Sequence, residues 1–136
     1  MDGVLVFLGV GSNCGQKECA VREAIAWLGN ILLDACSSDV YETHPVGHVG
    51  DNYMNAVVAG YSKETVEQLN SRCKAYELAH GRDDEARRLN RVPIDIDIVV
   101  AGGNVLRKRD FSNCFFRKGY DEILSVMPVQ YLEALR

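Results

Sequence analysis

Asp95 and Asp97 are the residues of this chain whose type and spacing most directly offer chemistry. They lie in Pro93-Ile94-Asp95-Ile96-Asp97-Ile98-Val99-Val100, where apolar and acidic residues alternate. Side chains on a strand point to opposite faces with period two, so Ile94, Ile96 and Ile98 share one face and the two aspartates share the other. Their Cβ atoms then sit roughly 6.5–7 Å apart, a spacing at which two carboxylates hold one divalent cation or flank a pair of them. The same pattern also suits an edge strand with a solvated acidic face. Aspartate is disfavoured in strands, so something should compensate both charges.

Other chemistry-bearing residues surround this pair in the sequence. Glu77 follows the apolar stripe Val66, Leu69, Cys73 and Tyr76 of a predicted helix, on or near its inward face. A carboxylate there is costly unless paired or bound to a cation; at the stripe's margin it reaches water instead. Arg82, Arg87, Arg88 and Arg91 crowd residues 81–91, which carry both signs of charge and no apolar periodicity. We read a flexible loop whose guanidinium groups match phosphate geometry, or a solvated linker with internal ion pairs. Tyr53 and Asn55 share a face of another predicted strand. Together they could stack on a flat heterocycle and hydrogen-bond its edge, or be an ordinary core-edge tyrosine beside a satisfied amide.

The elements that must position these groups follow from periodicity. Residues 4–10 form an almost wholly apolar run, which predicts a strand buried on both faces at the centre of a sheet. After the small-residue turn at residues 11–15, Val21, Ala24, Ile25 and Leu28 predict a helix that Gly29 can close. That turn lacks G-x-G-x-x-G and the P-loop lysine. Strands are predicted at residues 37–42 and 53–61, separated by a mobile loop around Pro45. A second helix, opened by Ser62 or by the capping-box pattern Thr65-x-x-Gln68, runs to about His80. Gly102-Gly103-Asn104 turns the acidic strand into the short segment Val105-Leu106. The tail from Arg107 is basic, then aromatic, and ends in short helices at residues 121–126 and 129–135. The order β-α-β-β-α-β predicts a ferredoxin-like α+β fold: an antiparallel sheet with two helices on one face, the opposite face open for a ligand, and a short C-terminal extension.

Composition narrows the function. With 136 residues the chain is the size of one domain, and its net charge of -4 argues against broad binding to nucleic acid or to anionic membrane. No run approaches a membrane span, and Met1-Asp2-Gly3 lacks the positive start of a signal peptide, so the expected location is the cytoplasm. Five cysteines without C-x-x-C, and three histidines without ligand spacing, predict neither a disulfide framework nor a zinc site.

Several segments together resemble the 6-hydroxymethyl-7,8-dihydropterin pyrophosphokinase family. They are the first strand with Gly11-Ser12-Asn13, Tyr41-Glu42-Thr43-His44-Pro45-Val46-Gly47, Tyr53-Met54-Asn55-Ala56-Val57-Val58, Glu77 through Gly81-Arg82, and Asp95-Ile96-Asp97-Ile98. They occur in the family's order across residues 4–104. The resemblance implies transfer of pyrophosphate from ATP to the pterin hydroxymethyl group, with release of AMP, in folate biosynthesis. It further implies that Asp95 and Asp97 bind two Mg²⁺ ions, with Asp97, Arg82 and Arg91 catalytic. Thr43, Pro45, Val46, Tyr53 and Asn55 would hold the pterin. Glu77, Arg82, Arg88, Arg91 and Ile98 would hold the nucleotide. The implied partners are ATP and a reduced pterin, without nucleic acid or membrane, in a monomer or weak homodimer. The family's arginine three positions before the first aspartate is here Val92, with Arg91 displaced by one. Leu89 stands where a lid tryptophan is found, and Cys114-Phe115 occupies the Pro-His position. These departures keep open a non-enzymatic pterin- or nucleotide-binding paralogue.

Overall fold

The structure, a computed structural model, describes residues 3–45 and 51–126. Its central strand is β1 (Val4–Ser12), antiparallel to β4 (Tyr53–Ser62) on one side and β5 (Asp95–Ala101) on the other. β2 (Leu33–Ser37) and β3 (Tyr41–Thr43) pair with successive parts of β4, and β6 (Asn104–Val105) pairs with the end of β5. Among the described residues, β5 is therefore the margin of the sheet along the two aspartates.

The predicted strand at residues 37–42 is divided. Ser38 interrupts it: its N–H donates to the Val57 carbonyl and its Oγ accepts from the Val57 N–H, both at 2.9 Å, so one residue satisfies the partner strand twice. Helix α1 (Lys17–Ile31) buries Val21, Ala24 and Leu28 as its spacing requires, and continues past Gly29 into the β2 turn. Helix α2 (Val66–Ala79) opens on the Thr65–Gln68 capping box, with both reciprocal bonds made. Both helices pack on one face, against Val6, Leu8 and Val10 of β1 and Ile94, Ile96 and Ile98. The ferredoxin-like arrangement predicted from the element order is present.

Two segments differ from their expected form. Residues 84–88 of the expected loop are a short helix, α3 (Asp84–Arg88), because Asp83 Oδ1 caps the Ala86 N–H at 2.8 Å. Acids then lie in its first turn and arginines in its last, as the helix dipole favours. It buries only Ala86, too little to leave a periodic signal.

The sheet face expected to be open is partly covered. After α4 (Lys108–Ser112), helix α5 (Cys114–Val126) sets Phe116, Tyr120 and Ile123 against Phe7, Val57, Ala59 and Val99. Gly119 permits this approach, since a Cβ there would lie 2.6 Å from Val57 Cγ2. The Tyr41 hydroxyl enters the helix ladder at the same turn, donating to the Phe115 carbonyl at 2.5 Å and accepting from the Gly119 N–H at 3.2 Å. All five cysteines are free, and among the described residues no helix is long and apolar enough to cross a membrane. The expected helix at residues 129–135 lies outside the described residues.

Candidate active site

What α5 leaves uncovered is a cavity of about 290 Å³ over the other half of that face. Its floor follows from strand register. Gly11 of β1 stands between Asn55 of β4 and Asp95 of β5, and Gly9 stands between Val57 and Asp97. Both glycines belong to the face opposite Val6, Leu8 and Val10, so the central strand contributes no side chain between Asn55 and Val57 on one side and the two aspartates on the other. A Cβ on Gly11 would sit 2.9 Å from Asn55 Oδ1.

One wall is Tyr53, Asn55, Thr43, His44 and Pro45. Asn55 is buried and its Nδ2 donates to Thr43 Oγ1 at 2.6 Å, tying β4 to β3. Burial, followed by the charge of Asp95, pushes the Tyr53 phenol above its ordinary range. The end wall holds Phe115 and Phe116, and the far wall Asp95, Asp97, Arg107 and Asp110. Val46 lies outside the described residues.

Asp95 and Asp97 point to the cavity side of β5, while Ile94, Ile96 and Ile98 enter the helix-side core. Burial, then the charge of Asp97, raises the Asp95 carboxyl to about 7. Asp97 goes the other way. Burial opposes its charge, but the Asp95 hydrogen bond together with Lys74 and Arg107 outweighs burial and holds it below the usual range. The two neighbouring carboxyls are thus driven in opposite directions, Asp95 toward its neutral form and Asp97 toward its charged one.

Behind the pair lies Glu77, with a side chain only 5% exposed. Its Oε2 accepts from the Ile96 N–H at 2.8 Å and from Lys74 Nζ at 2.9 Å, and its Oε1 accepts from Arg82 Nη1 at 2.9 Å. Those two cations continue to the aspartates: Lys74 Nζ donates to Asp97 Oδ1 at 3.0 Å, and Arg82 Nη1 to Asp95 Oδ1 at 2.5 Å. Arg107 stands 4.0 Å from Asp97 and donates from Nε to Asp110. The inward placement of Glu77 is settled by ion pairing with the protein's own cations, and both of its oxygens are used.

Other predicted positions fall elsewhere. Arg88 is exposed, with a 3.9 Å pairing to Glu85, and Arg91 lines a separate depression with Cys14, Gly15 and Leu89. Neither borders the aspartate cavity. Asn13 clamps the end of this segment, donating from Nδ2 to the Asn90 carbonyl and accepting from the Val92 N–H at 2.5 Å. Ile98 is a core residue. Sequence reasoning passed over Lys74, Arg107 and Asp110. For Lys74 a signal existed, since it stands three residues before Glu77, a spacing at which helical side chains meet; for Arg107 and Asp110 only the fold brings them here.

The donor set fits a divalent cation of the magnesium class. Two adjacent carboxylates offer hard oxygens at the edge of an open cavity, and such an ion takes one or two carboxylates and completes its shell with water and phosphate oxygens. Among the described residues no cluster of three or more His, Cys, Asp or Glu side chains could hold an ion by itself. Any metal here would arrive with other oxygen ligands.

Comparison with known proteins agrees with this architecture. The chain matches the family model described as 7,8-dihydro-6-hydroxymethylpterin-pyrophosphokinase over residues 7–129, so the match continues through the tail, beyond the segments that carry the motif resemblance. A "Folate synthesis bifunctional protein" of Arabidopsis thaliana is 31% identical over 100 residues, covering 71% of this chain and 20% of that protein. The "Bifunctional protein FolKE" of Lactococcus lactis is 31% identical over 145 residues, 96% of this chain and 40% of that one. The "2-amino-4-hydroxy-6-hydroxymethyldihydropteridine pyrophosphokinase" of Aquifex aeolicus is 30% identical over 105 residues, 76% and 65% respectively. The chain thus spans between one fifth and just under two thirds of these relatives' lengths. With the fold, the ordered motifs and the extent of the match in agreement, the chain belongs to the 7,8-dihydro-6-hydroxymethylpterin-pyrophosphokinase family.

Proposed function

We propose that the chain is a Mg²⁺-dependent pyrophosphokinase of folate biosynthesis, transferring the terminal pyrophosphate of ATP to 6-hydroxymethyl-7,8-dihydropterin. The observation that carries this reading is the single cavity that has the Asp95–Asp97 pair on one wall and Tyr53, Asn55 and two phenylalanines on the others. A flat polar heterocycle and a phosphate-bound metal would there be neighbours. In the reaction the hydroxymethyl oxygen bonds to the β-phosphorus of ATP, the bond from that phosphorus to the α–β bridging oxygen breaks, and AMP leaves with that oxygen. The hydroxyl proton passes to solvent.

Phosphoryl-type transfer is governed by positioning and charge neutralisation. Tyr53, Phe115 and Phe116 would bound the pterin plane, with Asn55, Thr43 and Pro45 at its edge. Asp95 and Asp97 would hold Mg²⁺, which when bound supplies neutralising charge to the phosphates. Arg82 bonds to Asp95 of that pair, and its Nε is buried without a hydrogen-bond partner among the described residues. A turn of this guanidinium toward a phosphate would relieve that cost, about 1–3 kcal/mol. Glu77 acts through Arg82 and Lys74. Arg88 and Arg91 would meet the nucleotide only after the α3 segment moves.

Purified protein mixed with Mg·ATP and the reduced pterin should form AMP and the pterin diphosphate in equal amounts, read by chromatography. Well-folded protein that binds pterin tightly but forms no AMP would replace this reading with that of a binding paralogue.

A further inference from the structure

We propose that Lys74 is the resident counter-cation of the acidic pair, holding a cation seat from which it must be drawn before a divalent ion can use Asp97 fully. The proposal rests on the reading of Asp95 and Asp97 as a metal pair. Lys74 Nζ lies 2.9 Å from Glu77 Oε2, 3.0 Å from the Ile96 carbonyl and 3.0 Å from Asp97 Oδ1. Three N–H donors thus meet three protein oxygens, two of them carboxylate, which is the oxygen surround a small hard cation takes.

Exposure is divided unequally between the partners. The Glu77 side chain is 5% exposed and fixed by three donors, whereas that of Lys74 is 40% exposed and has a way out to water. The lysine is the member that can leave. With Arg82 on Asp95 and Arg107 near Asp97, three cations already face Glu77, Asp95 and Asp97. Little uncompensated charge remains to attract a free metal ion. Nucleotide phosphates change this by offering Lys74 another partner, so that metal and nucleotide each raise the other's affinity.

The test is Mn²⁺ binding to nucleotide-free protein, followed by electron paramagnetic resonance. Lys74→Met should bind Mn²⁺ about tenfold more tightly than wild type, because a positive charge beside the ion is gone. Lys74→Arg should stay near wild type, and Lys74→Met combined with Asp97→Asn should lose the gain. Should Lys74→Met fail to fold, Lys74→Gln carries the same expectation, since it removes the charge and keeps a hydrogen-bond donor. Equal or weaker Mn²⁺ binding by the folded, uncharged variant overturns the proposal. If wild type takes up no Mn²⁺ even with a non-hydrolysable ATP analogue, the metal-pair reading itself fails. Nucleotide-dependent uptake that Lys74→Met leaves unaltered in the nucleotide-free state overturns only the role of the lysine.

Discussion

Replacing Glu77 by glutamine tests whether that carboxylate is the support on which the cations of the site rest. The amide keeps the shape but has one acceptor oxygen. If that oxygen faces Lys74 and the Ile96 N–H, the NH₂ meets Arg82 donor to donor; the reverse orientation loses two partners. The better orientation therefore sacrifices the charged Arg82 bond, of the kind that contributes about 1.5–3 kcal/mol. Arg82 keeps Asp95 and is 23% exposed, which screens part of the loss, so about 2 kcal/mol is expected. For 136 residues that is a fall in melting temperature of about 7 °C. The exposed Glu18–Arg22 pair serves as control, and Glu18→Gln should move the midpoint by no more than about 2 °C. Differential scanning calorimetry reads both. A Glu77→Gln midpoint within about 2 °C of wild type would refute the reasoning.

Three further outcomes are expected. Gly11→Ala should weaken pterin binding by calorimetry while the protein stays folded, because its Cβ enters the cavity floor 2.9 Å from Asn55 Oδ1 and costs about 1–3 kcal/mol of overpacking; unchanged affinity would mean that the floor is not a binding surface. Burial raises the Tyr41 phenol to about 12, so the folded protein holds its proton where the unfolded chain, near 10, has lost it. Stability present below pH 10 should therefore be lost as pH rises from 10 to 12, and Tyr41→Phe should flatten that part of the melting-temperature profile. Asp95→Asn should abolish AMP formation yet shift the midpoint at pH 7 by only about 2 °C, since this carboxyl is the one that burial already drives toward its neutral form; a large fall would mark it as structural.

Period-two alternation was enough to read the acidic pair, because Ile94, Ile96 and Ile98 had to be buried and that choice oriented Asp95 and Asp97 together. The same logic carried Tyr53 and Asn55 to one wall. What stayed hidden depends on neighbours distant in sequence. Gly9 and Gly11 look like interruptions of an apolar strand until register sets them between Asn55, Val57 and the two aspartates. Phe116, Tyr120 and Ile123 carry helical spacing, but the basic and glycine residues among them blurred it, and only the groove over Phe7 and Val57 explains why the helix lies there. The pairings of Lys74 with Asp97 and of Arg82 with Asp95 likewise join residues that only the fold brings together.

The central claim is that Asp95 and Asp97 hold divalent cations against a triphosphate in the cavity they border. Anomalous diffraction at the manganese edge, from crystals grown with Mn²⁺, a non-hydrolysable ATP analogue and the pterin, tests it most directly. The account predicts a peak within coordination distance of both carboxylates and of the phosphates, with the pterin between Tyr53 and Phe115. Phosphates bound without a peak at this pair, or manganese bound only elsewhere, would contradict it.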